Sequence, residues 1–451
     1  MDVSAGENNR SSNYTTALII VTSLFFMWGF ITVLVDALIP RLRDVFELTY
    51  FQAGMVQFAF FTAYAVVSIP GGYLISKVGY KWGVVIGLMT MGFACVLFYP
   101  AAGLRVFTLF LLALFILAGG ITILQVAANP YVAALGPAKY ASSRLNLSQA
   151  FNSLGTTLAP LVSAAFILDA AVMSSAQIAG MSGPERDIYM AGEAAAVQGP
   201  FLILAAVLVL LAIVFALFKL PSILETDHDK SGNYRDAVKY RHLMLGALAI
   251  FVYVGAEVTI GSYLVNYFLN MDARSFILGS GIMSSIATTI TGGDIIEMTP
   301  ARLVGTFVFF YWGGAMFGRF LGSWLLRFIK PGNLLATYGM INVVLLTVAI
   351  ITSGGVAFWS ILSIGLFNSI MFPTIFTLAI HGMGQYTAQG SGILCTAIVG
   401  GAIIPPLYGA LADVTGLQLA FIIPIFCYLY IVFYGKIGSK PYVMGAAAQP
   451  A

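Results

Sequence analysis

Asp36 and Glu257 stand inside long apolar stretches that occupy matching places in the two halves of the chain, whereas nearly every other acidic residue lies in a polar segment or at the end of an apolar one. A carboxyl at membrane depth is costly unless it faces water or a partner, so it marks a functional site by default. The chemistry open to such a group is uptake and release of a proton or cation, or acceptance of hydrogen bonds from a polar solute. Asp36 sits four residues before Pro40, toward the outer end of its stretch, where an interfacial Asp paired with Arg41 or Arg43 is the plainer alternative. Glu257 is nearer the centre of its stretch. Arg319 is expected toward the inner end of another span, and so is not expected to be its partner.

The elements that must position these groups are membrane helices. Of 451 residues, 60% are hydrophobic and 9% charged, and the mean hydropathy is +0.94. Soluble domains carry about 25% charged residues, so this composition cannot make a water-facing surface all round. Apolar runs of the roughly 20 residues that a spanning helix needs fall at 15–40, 51–75, 82–100, 105–134, 146–168 and 199–220, and again at 243–269, 303–326, 333–352, 356–380, 390–412 and 418–437. The expected fold is all-α and polytopic, with twelve transmembrane helices in two pseudo-symmetric six-helix bundles. The expected boundaries are a tail (1–13), a first bundle (14–220), a charged linker (221–242), a second bundle (243–437) and a tail (438–451). With both termini placed in the cytoplasm, 14 of the 21 Lys and Arg fall on the inner side, as the positive-inside rule requires. The N-terminal segment shows no signal peptide. Cys95, Cys395 and Cys427 lie in apolar runs with no metal-binding spacing and read as small buried hydrophobes. The net charge of +3 includes no basic tract suited to nucleic acid.

The halves repeat. Gly72-Tyr-Leu-Ile-Ser-Lys77 leads to Lys81 after span 2, and Gly322-Ser-Trp-Leu-Leu-Arg327 leads to Lys330 after span 8. These cations can anchor the inner surface at helix C-termini or latch a gate, and Lys77, Lys81, Arg144, Arg319 and Arg327 are the gating candidates. Gln125 precedes Pro130 by five residues in span 4, as Asn368 precedes Pro373 in span 10. Pro160 follows about thirty residues after Pro130, and Pro405-Pro406 after Pro373. Proline frees a backbone carbonyl and kinks a membrane helix, which suits a bundle that rocks.

On these motifs the chain resembles the major facilitator superfamily, and within it the fucose–galactose–glucose permease group. GYLISKVGYK is similar to the superfamily's signature after span 2, with Ser76 where an Asp is usual. The closer likeness lies in residues 23–57 (SLFFMWGFITVLVDALIPRLRDVFELTYFQAGMVQ), in ILQVAANPYVAALGP and RLNLSQAFNSLG within 123–155, and in residues 372–413. The resemblance implies two six-helix bundles, a central sugar site and alternating access. In the fucose permease a span-1 Asp is linked to proton coupling, and Asp36 matches it within VDALIP. Gln125 stands where that permease has a Glu, and Thr32-Val33-Leu34-Val35 replaces an Asn-rich stretch. LQVAANP and YVGAEVTIGSYLVNY are closer to the glucose/galactose branch, with N-acetylglucosamine permeases nearby.

That resemblance implies cation-coupled uptake of a neutral hexose, glucose or galactose foremost, with L-fucose or N-acetylglucosamine:proton symport as the alternative. Asn and Gln both donate and accept without charge, so they suit sugar hydroxyls. Gln125, Asn129, Asn368, Gln57, Asn152 and Asn266, together with Glu257, are the substrate-binding candidates, and Gln149 is of the same type. Interhelical hydrogen bonding is the plainer role for each. The coupling-ion candidates are Asp36, Glu257 and Thr32. A proton needs one titratable carboxyl, and sodium needs converging oxygens such as Asp36, Thr32, Thr122 and Gln125. Trp28, Tyr64, Phe310 and Tyr311 are candidates to stack on a pyranose. His381 is expected to be interfacial, and Asp413 to end a helix. No cofactor is expected, and no metal beyond transported sodium. An enzyme would need a nucleophile–base or metal constellation, and HExxH, GxSxG and the phosphate-binding GxxxxGK[ST] are all lacking. A sugar sensor on the same scaffold is the reading from another class. A monomer in the inner membrane is the expected state.

Overall fold

The computed structural model describes residues 14–33, 50–166, 180–218, 221 and 233–441. These residues are mainly helical, and no strand forms among them. In chain order the helices are α1 (Tyr14–Val33), α2 (Tyr50–Leu104), α3 (Phe107–Ala134), α4 (Ala141–Phe166), α5 (Gly183–Leu217) and the short α6 (Tyr234–Ala237). Then follow α7 (Arg241–Asn270), α8 (Ala273–Gly279), α9 (Gly281–Thr291), α10 (Pro300–Thr306), α11 (Val308–Leu325) and α12 (Pro331–Ile351). The last are α13 (Gly354–Asn368), α14 (Met371–Ala379), α15 (Thr387–Thr396), α16 (Gly400–Thr415), α17 (Leu417–Ala420) and α18 (Ile422–Phe433).

Nine stretches among the described residues are long and apolar enough to cross a membrane. One of them, Phe58–Leu104, is two spans joined at Gly79, whose backbone (φ 82°, ψ 164°) an L side chain would strain. The tight turn of the GYLISKVGYK signature is therefore made at its second glycine. Two further rods, α4 and the α10–α11 pair, are more polar or interrupted, and with them the described residues are consistent with the expected count of twelve. The outer end of span 1, which includes Asp36, lies outside the described residues.

The chain forms two compact units. The first comprises residues Met1–Ala141, Phe151–Ala237 and Met383–Thr396, and the second Ser142–Ala150, Val238–Gly382 and Ala397–Ala451. Each unit thus incorporates a short segment from the half of the chain that otherwise builds the other.

In the first unit, Tyr234 from the linker donates to the Ile69 carbonyl, and a Cβ at Gly72 or at Gly392 would strike its hydroxyl. Ser391 on α15 donates to the Val126 carbonyl at 2.8 Å. Lys81 caps the end of α5 by donating to the Ala216 carbonyl at 2.7 Å, the contact a helix C-terminus favours.

In the second unit, the borrowed turns of α4 are fixed by hydroxyls. Ser143 donates to the Ser323 carbonyl at 2.7 Å and Ser323 to the Ser143 carbonyl at 2.9 Å, while Ser142 and Thr377 share a hydrogen bond of 2.6 Å. Gly318 and Gly322 lie one turn apart on α11, and a Cβ at either would collide with residues Leu366, Ser369 or Ile370. Small residues at such spacing let helices approach closely. Here they bring α11 against the junction of α13 and α14.

Candidate functional site

The richest polar cluster of the second unit is built around Asn368, the last residue of α13. Its Nδ2 donates to the Tyr311 hydroxyl at 2.9 Å. Its Oδ1 accepts from Tyr428 at 2.7 Å and from Asn342 Nδ2 at 2.9 Å. Its backbone carbonyl accepts from Tyr253 at 3.3 Å. Four helices, α7, α11, α12 and α18, therefore converge on one amide. All five side chains are buried, where each polar group left unpaired costs about 1–3 kcal/mol. The Oδ1 of Asn342 is one that has no hydrogen-bond partner.

Glu257 stands at the edge of this cluster, half-buried on α7 one turn beyond Tyr253, and residues four apart share a helix face. Its carboxyl is hydrogen-bonded to Tyr253 and lies in the field of the Arg319 guanidinium, and its own charge acts in turn on Tyr311 and Tyr428. Arg319 Nε donates to the Ser369 carbonyl at 3.3 Å. Arg319 is therefore a neighbour of Glu257, against the expectation drawn from its place toward the inner end of its span. The length of the arginine side chain, which carries its charge away from its own turn of helix, offsets that difference in depth.

In the first unit, Gln125 is buried and donates from Nε2 to the Tyr64 hydroxyl at 2.6 Å. Asn129, one turn on, is fully buried. Thr122 and Thr32 each donate back to their own helix, to Ala118 at 2.8 Å and Trp28 at 2.9 Å, which leaves their oxygen lone pairs available. Asn152 is half-buried and ties α4 to α1 through the Phe25 carbonyl at 2.9 Å. Trp28 is buried beside Phe25.

The remaining candidates are dispersed. Asn266 is exposed, as is Arg327, while Arg144 is half-buried and Gln149 buried. Lys77 lies 5.7 Å from the Tyr73 ring centroid. Phe310 packs edge-on to Trp359 and, unlike Tyr311, keeps some surface accessible. Asp413 is exposed near the end of α16, and His381 is exposed, its carbonyl 3.0 Å from His242 Nε2. Gln57 lies on α2, but its side chain, like Asp36, is outside the described residues. Among the described residues no group of His, Cys, Asp and Glu is arranged to hold a metal.

Sequence reasoning did not single out Tyr253, Asn342 or Tyr428. The one usable signal was the i, i+4 spacing of Tyr253 and Glu257. Asn342 and Tyr428 carry none, because only the packing of α12 and α18 against α13 joins them to Asn368.

A polytopic helical chain with a carboxyl embedded among tyrosines and amides has the makings of a solute carrier, and comparison with known proteins agrees. The chain belongs to the Major Facilitator Superfamily, whose family model matches residues 17–398, and it is a transporter rather than an enzyme. Within that superfamily it falls in the fucose–galactose–glucose symporter group. It is 50% identical over 435 residues to a glucose/galactose transporter of Brucella abortus, covering 96% of this chain and 97% of that one. It is 33% identical over 448 residues to the L-fucose-proton symporter of Escherichia coli, covering 98% and 96%. The crystal structure of the Escherichia coli fucose:proton symporter superposes with a TM-score of 0.84 at 31% identity, covering 95% of this chain and all of that one.

Proposed function

We propose that this protein takes up glucose or galactose together with a cation, by alternating access, as a monomer in the inner membrane with both termini in the cytoplasm. The observation that carries the sugar assignment is the 50% identity, over nearly the whole of both chains, to a glucose/galactose transporter. Gln125 at the place of a family Glu supports the same branch, since a neutral amide can both donate to and accept from hydroxyls. We assign Gln125, Asn129 and Asn152 in the first unit to sugar recognition. Glu257 in the second unit is the coupling carboxyl or a hydroxyl acceptor, and Asp36 with Thr32 forms the ion site of the first. Asn368, its amide engaged on both sides, contributes by holding the tyrosines around Glu257. Lys81, which donates to the Ala216 carbonyl, belongs to the gate.

The test is uptake of labelled D-glucose by proteoliposomes under an inward sodium gradient without a pH gradient. Accumulation above equilibrium establishes sodium symport. Equilibration alone keeps glucose as substrate and assigns coupling to the proton. Absence of uptake refutes the glucose reading and moves L-fucose and N-acetylglucosamine forward.

A further inference from the structure

Span 10 is interrupted between Asn368, where α13 ends, and Met371, where α14 begins. The interruption has a covalent cause. Pro373 has no N–H, so the Ser369 carbonyl four residues earlier loses its helical donor. Asn368 is the last residue of its helix, where carbonyls also lack intrahelical partners. Two side chains fill these vacancies. Arg319 Nε donates to the Ser369 carbonyl and Tyr253 to the Asn368 carbonyl, both at 3.3 Å. These same two side chains are the partners of Glu257.

We propose that Tyr253 and Arg319 form a relay that makes the interruption in span 10 respond to the charge on Glu257. A phenol has one hydrogen to donate and a carboxylate can only accept. When Glu257 is ionised, the Tyr253 hydrogen is drawn to the carboxylate and the Asn368 carbonyl loses its donor, while the pull on the guanidinium, whose Nη groups can turn to the carboxylate, weakens the Nε–H bond to the Ser369 carbonyl. When Glu257 carries a proton, that proton is donated to the Tyr253 oxygen. The Tyr253 hydrogen then turns to the Asn368 carbonyl, and Arg319 is left to Ser369. The titratable groups facing Glu257 are Tyr253 on its own helix, Arg319 and Tyr311 on α11, and Tyr428 on α18. Tyr428 gives its hydrogen to Asn368 Oδ1 and Tyr311 accepts from Asn368 Nδ2, whereas Tyr253 and Arg319 are the two whose donors reach the span-10 carbonyls.

An independent observation places slack at the same point. The Ser369 hydroxyl is buried without a hydrogen-bond partner. Buried polar groups are normally satisfied, so the interruption has a further hydrogen bond to gain in a second arrangement. Two arrangements whose balance one charge biases are what a coupled conformational change requires.

The inference rests on Glu257 being the coupling carboxyl, and its test separates the two claims. Hydrogen–deuterium exchange of peptides covering residues 366–376 is followed across the pH range in the full-length protein in lipid nanodiscs, after correction for intrinsic exchange. The wild type is expected to show a step in protection with pH. Glu257→Gln is expected to lack the step and to hold the low-pH level throughout. In Tyr253→Phe the step falls to roughly half, one of the two donors being gone. Arg319→Lys serves in its place if that variant does not fold. A role confined to packing would lower protection equally at every pH. A wild type without the step, a step retained by Glu257→Gln, or one unchanged in Tyr253→Phe would overturn the relay. Concentrative uptake is measured on the same Glu257→Gln protein. Its retention refutes the coupling role of Glu257, whereas its loss with exchange unaltered refutes the relay alone.

Discussion

Spans 4 and 10 carry the same amide-and-proline spacing, Gln125 with Pro130 and Asn368 with Pro373, yet they take different forms. Span 4 runs through its proline as one helix, Phe107–Ala134, whereas span 10 divides into α13 and α14. Each proline releases the carbonyl four residues before it. The carbonyl released in span 4, of Val126, is taken by the neutral hydroxyl of Ser391, and that released in span 10, of Ser369, by the cationic Arg319. Gln125 has one tyrosine partner, while Asn368 gathers three side chains and a fourth on its carbonyl. A repeat in sequence has thus given one continuous helix and one interrupted one. Only the one beside a membrane carboxyl is wired to charge.

The largest effect that would sharpen this contrast is expected at the carboxyl. Glu257→Gln should lower gradient-driven accumulation of sugar by roughly 100-fold, the upper range of coupling free energies, while exchange across the membrane survives. Accumulation at the wild-type level in proteoliposomes would break the contrast outright. Next, Asn368→Ala should destabilise the protein by on the order of 4 kcal/mol, because it strands the polar atoms of Tyr311, Tyr428 and Asn342. Thermal unfolding in detergent reads this as a large fall in Tm. The equivalent change in span 4, Gln125→Ala, should cost only about 1 kcal/mol of stability but raise the apparent KM for sugar about tenfold. If both alanines proved equally destabilising, the difference between the two amides would vanish. The smallest effect belongs to the neutral carbonyl partner. Ser391→Ala removes one hydrogen bond, worth about 1 kcal/mol, and should leave the ratio of accumulation to exchange unchanged, whereas Arg319→Gln should change it.

The periodic and compositional features were legible in the sequence because their causes are local. Span positions follow from apolar length, and the placing of Glu257 within a helix follows from the apolar run around it. The helix-end cation after span 2 was also readable, and Lys81 does cap a helix, although the helix is α5 rather than its own. The hub at Asn368 was not legible. Its partners come from four helices scattered between residues 253 and 428, and nothing in the local pattern says which helices adjoin. The Arg319–Glu257 neighbourhood was missed for a related reason. Depth along a span was judged from sequence position, while the approach allowed by Gly318 and Gly322 depends on their matching the opposing backbone at residues 366–370.

The exchange of short segments between the two compact units has a consequence for biosynthesis. The first unit includes Met383–Thr396, yet the rest of it ends at Ala237. At a synthesis rate of about 5–20 residues per second, the ribosome needs roughly 8–32 s more to deliver the missing piece. Through that interval the early helices wait in the bilayer with the Gly72 surface and the Val126 carbonyl uncovered. A newborn first half is therefore unfinished until nearly the whole chain has been made. Halves expressed as separate polypeptides should each be short-lived and should persist only when made together.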